Sequence, residues 1–139
     1  MNVFLIIAGA LSAVVAILHI GCIYFGAPWY RFFGAGEQMA LLAERGSIQP
    51  TLITSGIVLV LSIWSIYAFS AAGVIVRLPF LRLALIFITF IYLLRGVAGF
   101  FLVSSPMGRS PEFWMWSSLI CLSFGIIHFI GLKQQWSNL

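Results

Sequence analysis

The hydrophobic positions of this chain form four long apolar stretches separated by shorter polar ones. A helix needs ~20 apolar residues to cross a bilayer, and four stretches meet that length: 3–25, 51–72, 83–103 and 113–132. None of the four contains Asp, Glu or Lys. The pattern predicts an all-α integral membrane protein, a four-helix transmembrane bundle that forms a single domain over residues 1–139.

The polar segment between the first two stretches is the longest, and it predicts a helix of its own. Residues 37–45 carry an apolar side, made of Met39, Leu41 and Leu42, and glycines bracket them. A helix this short is marginal in water. We therefore expect an interfacial helix that lies on the membrane surface or folds back over the bundle.

Composition favours lipid as the solvent of this chain. Of its residues, 63% are hydrophobic and 7% are charged, whereas a soluble domain carries roughly 25% charged residues. We therefore expect membrane lipids to be its partners. The seven basic residues give a formal net charge of +4, but they are scattered singly, and a nucleic-acid surface needs them clustered on one face. The sequence predicts no nucleic-acid binding.

The charged residues of the polar segments bear on orientation. With four spans, both termini lie on one side, together with Arg77, Arg82 and Lys133 and no acidic residue. The other side carries Arg31, Arg45, Arg109, Glu37, Glu44 and Glu112. The basic residues are equal in number, but the turn between Arg77 and Arg82 is short and dense in positive charge, which is typical of a cytoplasmic loop. We predict that both termini are cytoplasmic.

Arg95 is the one charged residue inside the four stretches. A charged side chain within the bilayer costs at least ~2.5–3.5 kcal/mol, so it faces the bundle interior or a water-filled cavity. Arg95 lies ~12 Å below the outer end of its predicted span. A guanidinium presents five donors suited to a carboxylate or a phosphate, which favours a ligand site. Snorkelling to the interface, or a purely structural ion pair, is the alternative.

Other polar residues complete a predicted pocket around Arg95. His19 lies ~10 Å below the same boundary, on a helix face that should point at a neighbouring helix. Glu37 could swing inward from the first loop to pair with Arg95, and Glu112 is the other candidate for this ion pair. Tyr92, one turn before Arg95, would line the floor. The predicted ligand-binding set is therefore His19, Glu37, Tyr92 and Arg95.

Small residues that recur at every fourth position mark packing faces in the first and last spans. These stripes are Ala8, Ser12 and Ala16 in the first span, and Ser117, Cys121 and Gly125 in the fourth. They allow helix backbones to approach closely where lipid provides no hydrophobic drive to associate. Cys22 and His128 lie on or next to the same faces. We therefore predict that Cys22, Cys121 and His128 point inward.

We predict no cofactor, no metal and no catalytic residue. The two cysteines form neither a Cys-x-x-Cys pair nor a Cys/His cluster at zinc spacing. His19 and His128 differ in depth by ~12 Å, so the two imidazoles of one protomer cannot ligate a single haem iron. No nucleophile–base pair is visible either, so an enzyme is the least favoured class.

Two classes of function remain after these exclusions. The first is binding or transport of an amphiphile or a small anion in a polar intramembrane pocket. The second is a structural or accessory subunit, whose partner is a second copy of the chain or another membrane protein. In size and span count the chain is similar to small four-helix proteins of the bacterial inner membrane. It lacks the first-span Glu of the small multidrug-resistance exporters and the Arg, Asn and Glu helix of the membrane glutathione and eicosanoid enzymes.

Overall fold

All regular secondary structure in the described part of the chain is helical. The computed structural model describes residues 2–33, 37–103 and 111–139. Its helices are α1 (Val3–Phe25), α2 (Ala27–Phe32), α3 (Glu37–Glu44), α4 (Gln49–Ala72), α5 (Leu81–Phe101) and α6 (Pro111–Gln134), followed by a 3₁₀ turn (Trp136–Asn138). The prediction of an all-α fold is confirmed.

Four of these helices, α1, α4, α5 and α6, are long and apolar enough to cross a membrane. The bounds of α1 agree with the predicted stretch, and the other three begin two residues earlier than predicted. The early start of α4 places Pro50 in its first turn, where a missing N–H costs no helical hydrogen bond. The predicted break at 104–109 lies outside the described residues.

The long helices pack mainly as two pairs, α1 with α4 and α5 with α6. In the first pair the predicted stripe of Ala8, Ser12 and Ala16 is buried. The Ser65 hydroxyl donates to the Gly9 carbonyl oxygen across the same interface at 2.7 Å. Ser65 therefore contacts the α1 backbone directly at Gly9, a residue whose lack of a side chain allows close helix approach.

Glycines set the spacing of the second pair. A Cβ built on Gly96 would lie 2.7 Å from the backbone nitrogen of Leu122 and 2.8 Å from its Cα. On the facing helix, a Cβ on Gly125 would lie 2.7 Å from the Leu93 side chain. Since no side chain fits at Gly96, α5 and α6 approach each other in direct backbone contact.

The turn between α4 and α5 is built around a left-handed glycine. Gly73 ends α4 with φ 89°, a conformation that residues with a Cβ rarely adopt, and the Val74 N–H donates to the Phe69 carbonyl at 3.1 Å. The Ser70 hydroxyl then donates to the carbonyl of Val76 at 2.8 Å and accepts from the Leu78 N–H at 3.0 Å. These bonds fix the turn that carries Arg77 and leads into α5, whose second residue is Arg82.

The chain ends meet at this same end of the bundle. The side chain of Asn2 caps α1 by accepting from the Leu5 N–H at 3.0 Å, and it donates to Gln134 at 2.9 Å. Its backbone N–H donates to the carbonyl of Ala72. The starts of α1 and α5 and the ends of α4 and α6 therefore lie together.

The short helices α2 and α3 cover the opposite end. Ala27, Tyr30 and Ala40 form a small buried cluster with Cys22 of α1. The prediction of a short helix at 37–45 is confirmed, with its end at Glu44. Whether this helix lies at a membrane surface stays a prediction.

Candidate functional site

The Arg95 side chain lies between α5 and α6, near the end that α2 and α3 cover. It is half-buried, and its Nη2 donates to the Ser117 hydroxyl at 3.0 Å. The guanidinium carbon lies 4.9 Å from the ring centroid of Trp114, which is within range of a cation–π contact. Two residues of α6 therefore hold the guanidinium at the helix pair.

Two buried polar atoms at this site have no hydrogen-bond partner among the described residues. They are Nη1 of Arg95 itself and the hydroxyl oxygen of Ser118, whose residue is fully buried. Both lie against Gly99, where a Cβ would stand 2.7 Å from Nη1 and closer still to the Ser118 oxygen. Gly99 thus leaves the space that the guanidinium occupies, and unpaired buried donors of this kind are costly.

The predicted ion pair of Arg95 with Glu37 or Glu112 is not present among the described residues. Among the described residues, the ion pairs join Arg31 of α2 to Glu37 at 2.8 Å and to Glu44 at 2.5 Å. Glu112 is exposed and forms no ion pair with Arg95 within this part of the chain. Arg31 lies six residues before Glu37 in the sequence, and its guanidinium contacts both carboxylates of α3.

This ion-pair cluster determines the electrostatics of the loop helices. Hydrogen bonds from the Arg31 guanidinium hold the pKa of the Glu37 carboxyl below its usual range. The same bonds, with those to Glu44, raise the pKa of Arg31. Glu37 is therefore an exposed carboxylate that fixes α3 to α2, and its charge is already compensated.

The predicted pocket is divided between different parts of the bundle. His19 is half-buried, and its Nδ1 lies 2.7 Å from the carbonyl of Val15, one turn earlier on its own helix. Within the described residues, no hydrogen bond or ion pair joins Arg95 to His19 or Glu37. The ligand-binding roles of His19 and Glu37 stay predictions that no contact with Arg95 supports.

Tyr92 lies in the central core of the bundle, and its predicted role at an Arg95 pocket stays a prediction. It is buried, and its hydroxyl lies 2.8 Å from the hydroxyl of Ser12 on α1. Its ring packs edge-on against Trp64, with 5.0 Å between the centroids. Tyr92 therefore links α5 to α1 and α4.

The three residues predicted to point inward differ in burial. His128 is fully buried, with its Nδ1 2.7 Å from the Phe124 carbonyl and its ring 5.0 Å from that of Tyr92. Cys22 is buried and Cys121 is half-buried, and both are free thiols. Across the described ranges, no group of three or more His, Cys, Asp or Glu residues could hold a metal ion.

Sequence reasoning missed most of the residues that surround Arg95. Gly99 lies four positions after Arg95, the spacing at which two residues share a helix face, and that signal was available. Ser117 was identified only as a packing residue. Ser118 and Trp114 could not have been assigned, because their roles depend on how α6 is rotated against α5.

The fold and the site define the class of protein. It is an all-helical protein with four helices long and apolar enough to cross a membrane, and Arg95 is held between two of them, α5 and α6. No protein-family model matches this chain, no curated protein matches its sequence, and no solved structure matches its fold.

Proposed function

We propose that the protein is an integral protein of the bacterial inner membrane, with its four long helices across the bilayer and both termini in the cytoplasm. The end that carries Arg77, Arg82 and Lys133 contains none of the three acidic residues of the chain. Basic residues in short segments beside a span favour the cytoplasmic side. On this orientation α3 lies at the outer surface of the membrane.

A reporter enzyme that is active only outside the cytoplasm tests this orientation. Fused after Leu139, it should be inactive, and fused within α3, at Glu44, it should be active. A reporter that is active only in the cytoplasm is the control, and it should give the reverse pattern. Activity of the first reporter after Leu139 would contradict the orientation.

We further propose that the protein binds an acidic amphiphile through Arg95. The observation that carries this proposal is the lack of compensation at the site. The guanidinium lies on a long apolar helix, no carboxylate of the described residues pairs with it, and its buried Nη1 has no acceptor. A charge in apolar surroundings is stabilised by an opposite charge, so a carboxylate or phosphate group from outside the chain completes the site.

The surroundings of Arg95 favour an amphiphile over a small free anion. Leu94 and Val97, the neighbours of Arg95 along α5, are about half exposed. An anionic headgroup at the guanidinium would leave an apolar tail to lie along these side chains. The ring of Trp114 and the Ser117 hydroxyl hold the guanidinium in place, so its orientation is set before a ligand arrives.

The test compares the amphiphiles retained by purified variants. Wild-type protein should copurify with an acidic amphiphile and should be stabilised thermally by added lauric acid or lysophosphatidic acid. Arg95→Gln keeps hydrogen-bonding groups but removes the charge, and it should lower both retention and affinity on the order of tenfold, because a charged hydrogen bond is lost. Mass spectrometry of extracted lipids and thermal unfolding measure the two effects.

Arg45→Gln is the matched control, because Arg45 is an exposed arginine that lies just after α3. It should retain the wild-type amount of amphiphile. Equal retention by wild type and Arg95→Gln would overturn the proposal. A more stable Arg95→Leu protein with unchanged retention would favour the structural or accessory role. Stabilisation by chloride or phosphate as large as that by lauric acid would favour a small anion.

A further inference from the structure

A second positively charged site lies at the other end of the bundle, where the turn between α4 and α5 meets the end of α6. The residues that line this surface depression include Arg77, Pro79, Phe80, Arg82 and Leu139. We call it the arginine-turn site. It shares no residue with the Arg95 site, and it faces the side on which the proposed orientation places the cytoplasm.

The backbone of the C-terminal segment orients both guanidinium groups. Arg77 donates to the carbonyl oxygens of Asn138, at 3.1 Å, and Leu139. Arg82 donates to the carbonyl of Trp136 at 3.0 Å, and its guanidinium carbon lies 4.5 Å from the centroid of that indole ring. These acceptors fix the direction of the two groups, and the one acceptor of Arg82, the Trp136 carbonyl, is neutral.

Donors remain on both side chains. Within the described residues, the Nε–H of Arg77 and that of Arg82 have no acceptor, and both residues are exposed. The only side-chain carboxylates that the chain has are those of Glu37, Glu44 and Glu112. All three lie in α3 or at the start of α6, at the opposite end of the bundle. No side-chain carboxylate of the chain therefore compensates Arg82, and an anion for this arginine would come from another molecule.

The rim of the arginine-turn site is apolar and points outward. Val76 and Phe80 are each 78% exposed, and Leu83 is 64% exposed. Phe80 has φ 55°, in the left-handed region that an aromatic residue rarely adopts. This backbone conformation leaves its ring outside the bundle instead of in the core.

We propose that the arginine-turn site binds the phosphate of an anionic phospholipid headgroup in the inner leaflet. Arg77 and Arg82 supply the charge and the free N–H donors, and guanidinium groups suit phosphate oxygens. Val76, Phe80 and Leu83 contact the upper acyl chains, which a free phosphate does not have. This inference rests on the proposed membrane embedding but not on ligand binding at Arg95.

The test uses full-length protein in nanodiscs made of equal parts of phosphatidylcholine and phosphatidylglycerol. After release into the gas phase, native mass spectrometry should find phosphatidylglycerol retained in preference to phosphatidylcholine. Arg77→Gln/Arg82→Gln should lower that preference on the order of tenfold, since the charged hydrogen bonds of both guanidinium groups to the phosphate are lost. Phe80→Ser should lower retention of both lipids while leaving both arginines in place.

Arg45→Gln/Lys133→Gln is the matched control, because it removes two positive charges outside the site and should keep the preference. If the double arginine variant fails to fold, Phe80→Ser still tests the site, because it changes the apolar rim and keeps both arginines. An unchanged preference in the double arginine variant, or unchanged retention of both lipids in Phe80→Ser, overturns the proposal. So does inorganic phosphate that stabilises the protein in phosphatidylcholine nanodiscs as strongly as phosphatidylglycerol does. Arg95→Gln should keep the preference, so failure at one site is distinguishable from failure at the other.

Discussion

Leu5→Ala should be among the most destabilising single substitutions in this protein. Leu5 is fully buried and packs in a cluster that includes Leu85 of α5 and Leu132 of α6. A buried Leu→Ala change costs about 2–5 kcal/mol in soluble proteins, through lost transfer free energy and the cavity left behind. Lipid tails are as apolar as leucine, so in a bilayer the cavity contribution dominates and the low end of that range is expected. Reversible unfolding in a single detergent measures the change.

Gly131 on α6 provides a control for this interpretation. A Cβ built there would lie 2.5 Å from Cγ and 2.8 Å from Cδ2 of Leu5, so Gly131→Ala alone should also destabilise the protein. Both clashing atoms disappear in Leu5→Ala, and the added methyl then fills part of the cavity. Leu5→Ala/Gly131→Ala should therefore be more stable than the sum of the two single effects indicates. Strict additivity would show that the two residues are not in contact.

The four long helices of this protein were predictable because a helix that is long and apolar enough to cross a membrane leaves a continuous apolar stretch in the sequence. The four apolar stretches located α1, α4, α5 and α6 to within two residues at each boundary. The loop helix α3 was predictable from its flanking glycines and its apolar side. The helix α2 was not, because its six residues include Pro28 and lie within a segment that has no clear periodicity.

The candidate site was predictable only in part, and the reason is rotational. Depth along a helix follows from counting residues, so Arg95 and His19 could be placed at similar levels. Which helix each side chain faces depends on how the helices pair. The pairing of α5 with α6 turns Arg95 toward Ser117 and Trp114. Arg31, which played no part in the predicted pocket, holds Glu37 instead.

Gly96→Ala should separate the two helices that hold Arg95. The added Cβ would meet backbone atoms of Leu122 at 2.7 and 2.8 Å, and a backbone cannot rotate away as a side chain does. Overpacking of this kind costs about 1–3 kcal/mol. The separation also moves Ser117 and Trp114 away from the guanidinium, so amphiphile retention should fall together with stability. Thermal unfolding and lipid mass spectrometry of the same preparation measure both.

Gly56→Ala is the matched control, since both glycines lie inside long helices and nothing lies within 4 Å of a Cβ built on Gly56. Alanine in an open helical position is favoured over glycine by roughly 0.5–1 kcal/mol, so this variant should equal or exceed wild type in stability and retain the same amphiphile. The same Gly→Ala substitution is therefore expected to lower the free energy of unfolding at position 96 and to leave it equal or raise it at position 56. If Gly96→Ala were as stable as Gly56→Ala, α5 and α6 would have to lie farther apart than the structure places them, and the position of Arg95 between them would lose its support.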